Sequence, residues 1–115
     1  IIIPAHQCCV SYGFHITLGQ EKADYLLDNI DAIETRNGGS TSEANQTAEI
    51  TAEKYGLPGV GGSDAHFLMQ VGRCLTVFER DINDEAGLIE EIKAGRCRAA
   101  YASDVDDIEP SRLWR

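Results

Sequence analysis

The order of hydrophobic and polar residues along the chain predicts short strands that alternate with helices. Short runs of apolar or β-branched residues are typical of strands. They occur at Ile1–Ile3, Asp31–Thr35, Gly59–Gly61, Cys74–Glu79 and Cys97–Ala102. The first run contains no polar residue, which is typical of a strand that is buried on both faces.

Three segments between these runs have the spacing of amphipathic helices. The predicted helices cover Glu21–Ile30, Thr41 or Ser42 to Tyr55, and Asp84–Gly95. In the second helix, alanines share one face with Tyr55, so this helix can lie close to a sheet. Thr41 or Ser42 is the expected N-cap, and Gly56 is expected to end the helix at the C′ position.

The resulting order, β-α-β-α-β-β-α-β, predicts an α/β fold. Strands that alternate with helices are usually parallel and joined by right-handed crossovers. We therefore expect about four to five mostly parallel strands and three main helices. With 115 residues, the chain is expected to form a single domain, residues 1–115.

Composition and charge exclude several classes of function. The formal net charge of -9 argues against direct binding to duplex nucleic acid, which requires a basic surface. No run approaches the roughly 20 apolar residues of a membrane span, and no signal-peptide pattern is present. We expect a cytoplasmic protein without a membrane partner. A phosphorylated substrate is still compatible with this charge if bound cations reverse the local field.

The four cysteines are Cys8, Cys9, Cys74 and Cys97. They show neither a CxxC spacing nor the density of a disulfide scaffold. We interpret them as reduced, partly buried thiols, and a thiolate metal site is the alternative.

Polar side chains follow three predicted strands at the point where each strand ends. His6 follows the first, Asn37 the second, and Asp64 with His66 the third. Because the carboxyl ends of parallel strands meet at one edge of a sheet, these residues are expected to share a rim. Carboxylate and imidazole together suit a divalent metal such as Zn, Mn or Fe.

Each of these residues also has a purely structural interpretation. Asp64 could cap a short helix that begins near Ala65, with His66 merely exposed. His6 could be a half-buried side chain with satisfied hydrogen bonds. Glu34 could support a metal ligand, or it could pair with Arg36 or with a basic residue elsewhere. For His15, contact with a metal is the weaker alternative.

Several stretches in this order resemble the PHP (polymerase and histidinol phosphatase) family. They are "AHQ", "DAIETRNG", "NQTAEITAEKYGLPGVGGSDAHFLMQVGRCLTVFE" and "LIEEIKAGR". The resemblance covers nearly the whole chain and is closest to the carboxyl-terminal part of such a protein. It implies a distorted (βα)7 barrel that holds up to three metal ions, commonly Zn, Mn or Fe. In the family, these ions activate water against a phosphoester.

The resemblance also implies roles for individual residues. His6, Asp64 and His66 match metal ligands of the family. Glu34 and Asn37 match residues at the end of a strand, and the role implied for them is to support the ligands. The family's remaining ligands belong to earlier strands that are absent here. A partial (βα) barrel of the PHP type with an incomplete site and fewer metal ions is therefore expected. Gln7 departs from the pattern, since the family usually has proline there.

The expected function is that of a metal-dependent phosphoesterase acting on a phosphorylated small molecule or nucleotide. The chain begins with Ile1 and its only methionine is Met69, so we expect an excised segment, with a tag or processing as the alternative explanation. Because the family's other ligands belong to absent strands, we expect weak or no catalysis from this segment. The open sheet edge predicts a possible homo-oligomer. The alternative is a non-catalytic PHP-derived structural or interaction module, and a third interpretation is a metalloenzyme that hydrolyses carboxylates or amides.

Overall fold

A computed structural model describes residues 1–8, 13 and 17–105. In this part of the chain, the helices are α1 (Gln20–Leu27), α2 (Ser42–Tyr55) and α3 (Glu85–Lys93). The strands are β1 (Ile33–Asn37), β2 (Gly59–Gly62), β3 (Cys74–Phe78) and β4 (Cys97–Tyr101). Short 3-10 turns cover Leu68–Gln70 and Ala102–Asp104. None of the described helices has the length and apolarity that crossing a membrane requires.

The ends of the helices are set by capping residues. The Thr41 hydroxyl accepts a hydrogen bond from the Ala44 N–H at 3.2 Å at the start of α2. Gly56 ends this helix in the left-handed conformation, with φ of 65°. Asp84 caps α3 by accepting from the Gly87 N–H at 2.7 Å. The predicted bounds of α2 are confirmed.

The strands form two small sheets, and the predicted partial (βα) barrel with four to five mostly parallel strands is wrong. β1 and β2 pair in parallel, whereas β3 and β4 pair antiparallel. The helix between β3 and β4 was interpreted as a parallel crossover. Instead, the carbonyl of Arg96, just after α3, accepts from the Glu79 N–H at 3.2 Å. β4 therefore starts beside the end of β3 and runs back along it.

The predicted strand at Ile1–Ile3 is also wrong. The Asp31 N–H donates to the Ile2 carbonyl at 2.9 Å, as it would in a strand pair. The Ile2 N–H, however, donates to the carboxylate of Asp31 at 2.6 Å. Because a side chain takes up this donor, no ladder continues from it, and Ile1 and Ile2 are exposed.

One threonine joins the two sheets. The Gly61 N–H of β2 donates to the Thr76 hydroxyl of β3 at 3.0 Å. The same hydroxyl donates to the Gly61 carbonyl at 3.1 Å. A side chain thus satisfies both main-chain groups that a neighbouring strand would satisfy in a continuous sheet.

The core consists of two hydrophobic clusters. One joins α1, β1 and α2 and contains Leu27, Ile33 and Ala52. The other contains Ala32, Val60 and Ile92, and so packs α3 against β2 and the start of β1. The alanines on α2 allow this helix to lie close to β1, as its sequence predicts.

An ion pair between the half-buried Arg96 and the buried Glu91 closes the turn after α3. The Arg96 guanidinium donates to both carboxylate oxygens of Glu91, at 2.8 and 2.7 Å. Glu91 is only 6% exposed. The hydrogen bonds from Arg96 lower the pKa of Glu91 below its usual value. The pair therefore stabilises the folded chain when Glu91 is ionised.

We expect Thr76→Val to lower the free energy of unfolding by about 1–3 kcal/mol, because it leaves the N–H and carbonyl of Gly61 unpaired. Urea unfolding measures this effect. Thr76→Ser retains the hydroxyl and is the matched control, so it should stay closer to the wild-type stability. Equal losses in the two variants would show that the hydroxyl does not join the sheets.

We expect Glu91→Gln to lower the urea midpoint at pH 7. The pKa of Glu91 is lower in the folded chain than in the unfolded chain. Its contribution to folding stability is therefore fully present when the pH is above the unfolded-state pKa, and it is lost as the pH falls through the folded-state pKa. The difference between wild type and variant should therefore narrow at acidic pH. Glu90 also pairs with Arg96, but its side chain is 73% exposed. Glu90→Gln should thus have a smaller effect, and a loss from Glu91→Gln that is independent of pH would contradict the assignment.

Candidate functional site

The carboxylate of Glu34 connects the amino-terminal segment to the end of β1. Its Oε2 accepts from the His6 N–H at 2.6 Å and from the Asn37 side-chain amide at 3.0 Å. The Gln7 side-chain amide donates to the Glu34 carbonyl at 3.3 Å. The register of β1 against β2 shifts between Glu34 and Arg36. Such irregularities re-aim side chains near the ends of strands.

The other oxygen of Glu34 faces β2. Oε1 lies so close to Gly62 that a Cβ there would collide with it. Glycine is therefore required for this approach. The carboxylate is thus held between the His6 segment and the end of β2. The alternative pairing of Glu34 with Arg36 is wrong, because Arg36 donates to both carboxylate oxygens of Glu49 at 3.0 and 2.9 Å.

Asn37 connects the end of β1 to Asp64. Its side-chain oxygen accepts from the Gly39 N–H at 2.9 Å, and the Gly38 N–H donates to the Gly62 carbonyl at 2.9 Å. A Cβ on Gly39 would lie 2.7 Å from Oδ2 of Asp64. The turn after β1 therefore packs directly against this carboxylate.

His6 and Asp64 share an unusual backbone conformation. Their φ angles are 34° and 46°, and they are the two non-glycine residues with positive φ in the described part of the chain. This conformation costs roughly 1–2 kcal/mol for an ordinary L-residue and less for aspartate. Strain of this kind clusters at functional sites, where surrounding contacts maintain it. Both residues were singled out in the sequence as metal ligands.

The His66 imidazole lies on an exposed loop beside Asp64. Its Nδ1 is 2.9 Å from the Asp64 carbonyl, which can only accept, so Nδ1 carries the proton. In the neutral form of this imidazole, Nε2 then keeps its lone pair, as a metal ligand requires. The Gln70 side chain accepts from the N–H groups of His66 and Phe67, at 2.8 and 3.0 Å. The 3-10 turn starts at Leu68, so the alternative that Asp64 caps a helix near Ala65 is wrong.

The donor chemistry of these residues suits a divalent metal, but the described residues alone do not complete a site. Among residues 1–8, 13 and 17–105, no three His, Cys, Asp or Glu side chains form a group that could hold a metal. Metal binding by His6, Asp64 and His66 therefore stays a prediction, as does the supporting role of Glu34 and Asn37.

The cysteines do not strengthen the site. Cys8, Cys74 and Cys97 are free. Burial raises the pKa of each of these thiols, so their reactive thiolate form is disfavoured near neutral pH. His15 and Cys9 lie outside the described residues.

Sequence reasoning missed three polar residues of this region. Gln7 is 1% exposed, and its side-chain oxygen has no hydrogen-bond partner within the part of the chain that the structure describes. Asn45 is buried on α2 and donates to the Tyr101 hydroxyl at 3.1 Å. Asn45 could have been found from its helical spacing to Ala48 and Ala52, which places an amide on the buried face. The sequence contains no comparable signal for Tyr101.

Asn37 also lines a cavity of about 330 Å³. Its lining includes Ser40, Arg73 and Tyr101. Its size is at the lower end of the range for small-molecule sites. Asn37 therefore contacts both this cavity and the carboxylate of Glu34.

Comparison with known proteins gives a match over part of the chain. Residues 42–97 match the family described as PHP-associated. No curated protein and no solved structure matches the chain. The matched segment includes α2, β2, Asp64 and His66, and it confirms the predicted PHP resemblance for this region.

We expect Asp64→Gly to be more stable than Asp64→Ala by about 1 kcal/mol, because only glycine adopts positive φ without strain. Urea unfolding of both variants measures the difference. Asp28 is the matched control, since it ends α1 in the right-handed conformation with φ of -72°. There, alanine should be at least as stable as glycine. An alanine variant at position 64 that equals the glycine variant would show that the backbone is not strained.

Proposed function

Because residues 42–97 form a PHP-associated region, we propose that this chain contributes one side of a divalent-metal centre in a PHP-type phosphoesterase. His6, Asp64 and His66 would hold the metal, and Glu34 and Asn37 would support them. The observation that carries the proposal is the strained backbone of His6 and Asp64. The surrounding network retains this strain although it has no evident benefit for folding.

The metal, Zn, Mn or Fe, would supply acidity to bound water and neutralise charge on the phosphoryl group. The role of the chain itself is to fix the donors. Glu34 orients the His6 segment through its main-chain N–H, at 2.6 Å. The carbonyl of Asp64 fixes the imidazole tautomer of His66 that leaves Nε2 available.

The proposed substrate is a phosphorylated small molecule or a nucleotide. The formal net charge of -9 would repel such an anion from most of the surface. Bound cations at the rim would reverse this repulsion locally. Because the chain is acidic, a phosphorylated substrate would bind only where metal cations are bound, so the proposed substrate and the proposed metal requirement depend on each other.

We expect the chain to bind Zn²⁺ or Mn²⁺. Asp64→Asn and His66→Ala should each weaken this binding by roughly 10-fold or more, because metal affinity is sensitive to changes among the ligands and their supporting residues. Asparagine is chosen because it tolerates positive φ nearly as well as aspartate. Isothermal titration calorimetry measures the affinity, and turnover of a phosphomonoester before and after treatment with EDTA measures the activity.

Asp81→Asn is the control, because Asp81 is an exposed carboxylate outside this site. Its metal affinity should equal that of the wild type. Unchanged affinity in the Asp64 and His66 variants would refute the assignment of these ligands. Phosphoester turnover that survives EDTA would refute a metal-dependent reaction.

A second candidate function is a non-catalytic PHP-derived interaction module. It is favoured by the exposed side chains of Phe67, Leu68 and Met69, which are 71%, 74% and 81% exposed. Apolar patches of this kind often mark contact surfaces. A homo-oligomer through the free sheet edges belongs to this candidate. In that case, the chain would show no phosphoester turnover with or without metal, and the Asp64 and His66 variants would keep the wild-type oligomeric state.

A further inference from the structure

The side-chain amide of Asn45 is paired with the main chain of Asn37. The Asn45 amide nitrogen donates to the Asn37 carbonyl at 3.1 Å, and its oxygen accepts from the Asn37 N–H at 3.0 Å. The two residues are 3% and 2% exposed. One side chain of α2 thus satisfies both main-chain groups of the last residue of β1, as a neighbouring strand would.

Contacts from β4 hold Asn45 in this orientation. Its amide nitrogen also donates to the Tyr101 hydroxyl at 3.1 Å. The guanidinium of Arg36 lies 5.5 Å from the centre of the Tyr101 ring and pairs with Glu49 on α2. The position of the Asn45 amide is therefore determined by β1, α2 and β4 together.

The side chain of Asn37 extends this arrangement to both strained residues. Its amide nitrogen donates to Glu34, which holds the N–H of His6. Its oxygen holds Gly39, which packs against the carboxylate of Asp64. A displacement of Asn37 would therefore be transmitted to both sides of the candidate metal centre.

We propose that Asn45 is a positioning residue for this centre, acting through Asn37 on the backbone of His6 and on Asp64. The inference rests on the proposed function, because it assigns Asn45 to the support of the same metal ligands. An amide is required at position 45, since it donates and accepts with one side chain. Aspartate has the same shape but cannot donate to the Asn37 carbonyl or to Tyr101.

Asn45→Asp tests the proposal, and Gln46→Glu is the matched control. Gln46 is the next residue of α2 and is exposed, so the same change from amide to carboxylate adds the same charge there without touching Asn37. The first measurement is amide hydrogen exchange by NMR, with the His6 N–H compared with the N–H of Val60 in the core. The second is the affinity for Zn²⁺ by calorimetry.

For Asn45→Asp, we expect exchange at His6 to accelerate by at least 10-fold more than exchange at Val60. We also expect Zn²⁺ binding to weaken roughly 10- to 100-fold, the usual effect of removing support from metal ligands. Gln46→Glu should change neither measurement. If Asn45→Asp does not fold, Tyr101→Phe removes a single hydrogen bond from Asn45 and should produce a smaller change of the same kind.

A purely structural role for Asn45 would accelerate exchange at His6 and Val60 to the same extent, and this result would overturn the proposal. Unchanged exchange at His6 would also overturn it. If wild-type protein binds no Zn²⁺ but exchange at His6 responds selectively, the proposed metal function fails while the coupling from Asn45 to His6 holds. The two failures are therefore distinguishable.

Discussion

The amide of Asn45 satisfies the main chain of Asn37 at the point where β1 ends, and the neighbouring elements are arranged around this contact. Buried peptide groups without hydrogen-bond partners cost about 1–3 kcal/mol each. A strand end inside the protein therefore needs a side chain that replaces the hydrogen bonds of a neighbouring strand. Because the substitute comes from α2 and is held by Tyr101 of β4, the contact fixes a helix and both sheets relative to one another. A hydrophobic contact could not do this, since it has no directional requirement.

The residues of the candidate site are connected to this contact between Asn45 and Asn37. Glu34 is fixed by donors from two segments, and Asp64 is packed against the turn that Asn37 closes. The unfavourable backbone angles at His6 and Asp64 are therefore maintained by the scaffold. Their cost is part of the folded state, so a ligand at the candidate site would not have to order these residues.

The sequence allowed local structure to be predicted more reliably than long-range arrangement. The Thr41 cap and Gly56 located α2, because helix ends depend on residues within one turn. The direction of β4 relative to β3 could not be predicted, because an apolar run is compatible with either a parallel or an antiparallel neighbour. The Ile1–Ile3 strand failed because the side chain of Asp31 competes for a main-chain donor. The roles of Asp64 and His66 as metal ligands stay predictions. Helical spacing could place Asn45 on the buried face of α2, but it could not show that the amide pairs with the main chain of Asn37.

The threonine bridge between β2 and β3 also has a consequence for how the fold is encoded. Strands in a continuous sheet are joined by a row of main-chain hydrogen bonds. At Gly61, by contrast, β2 is connected to β3 through a single side-chain hydroxyl. A main-chain ladder forms whatever the side chains are, whereas this connection exists only with a hydroxyl at position 76. The junction between the two sheets is therefore encoded by a residue type and not by the backbone alone.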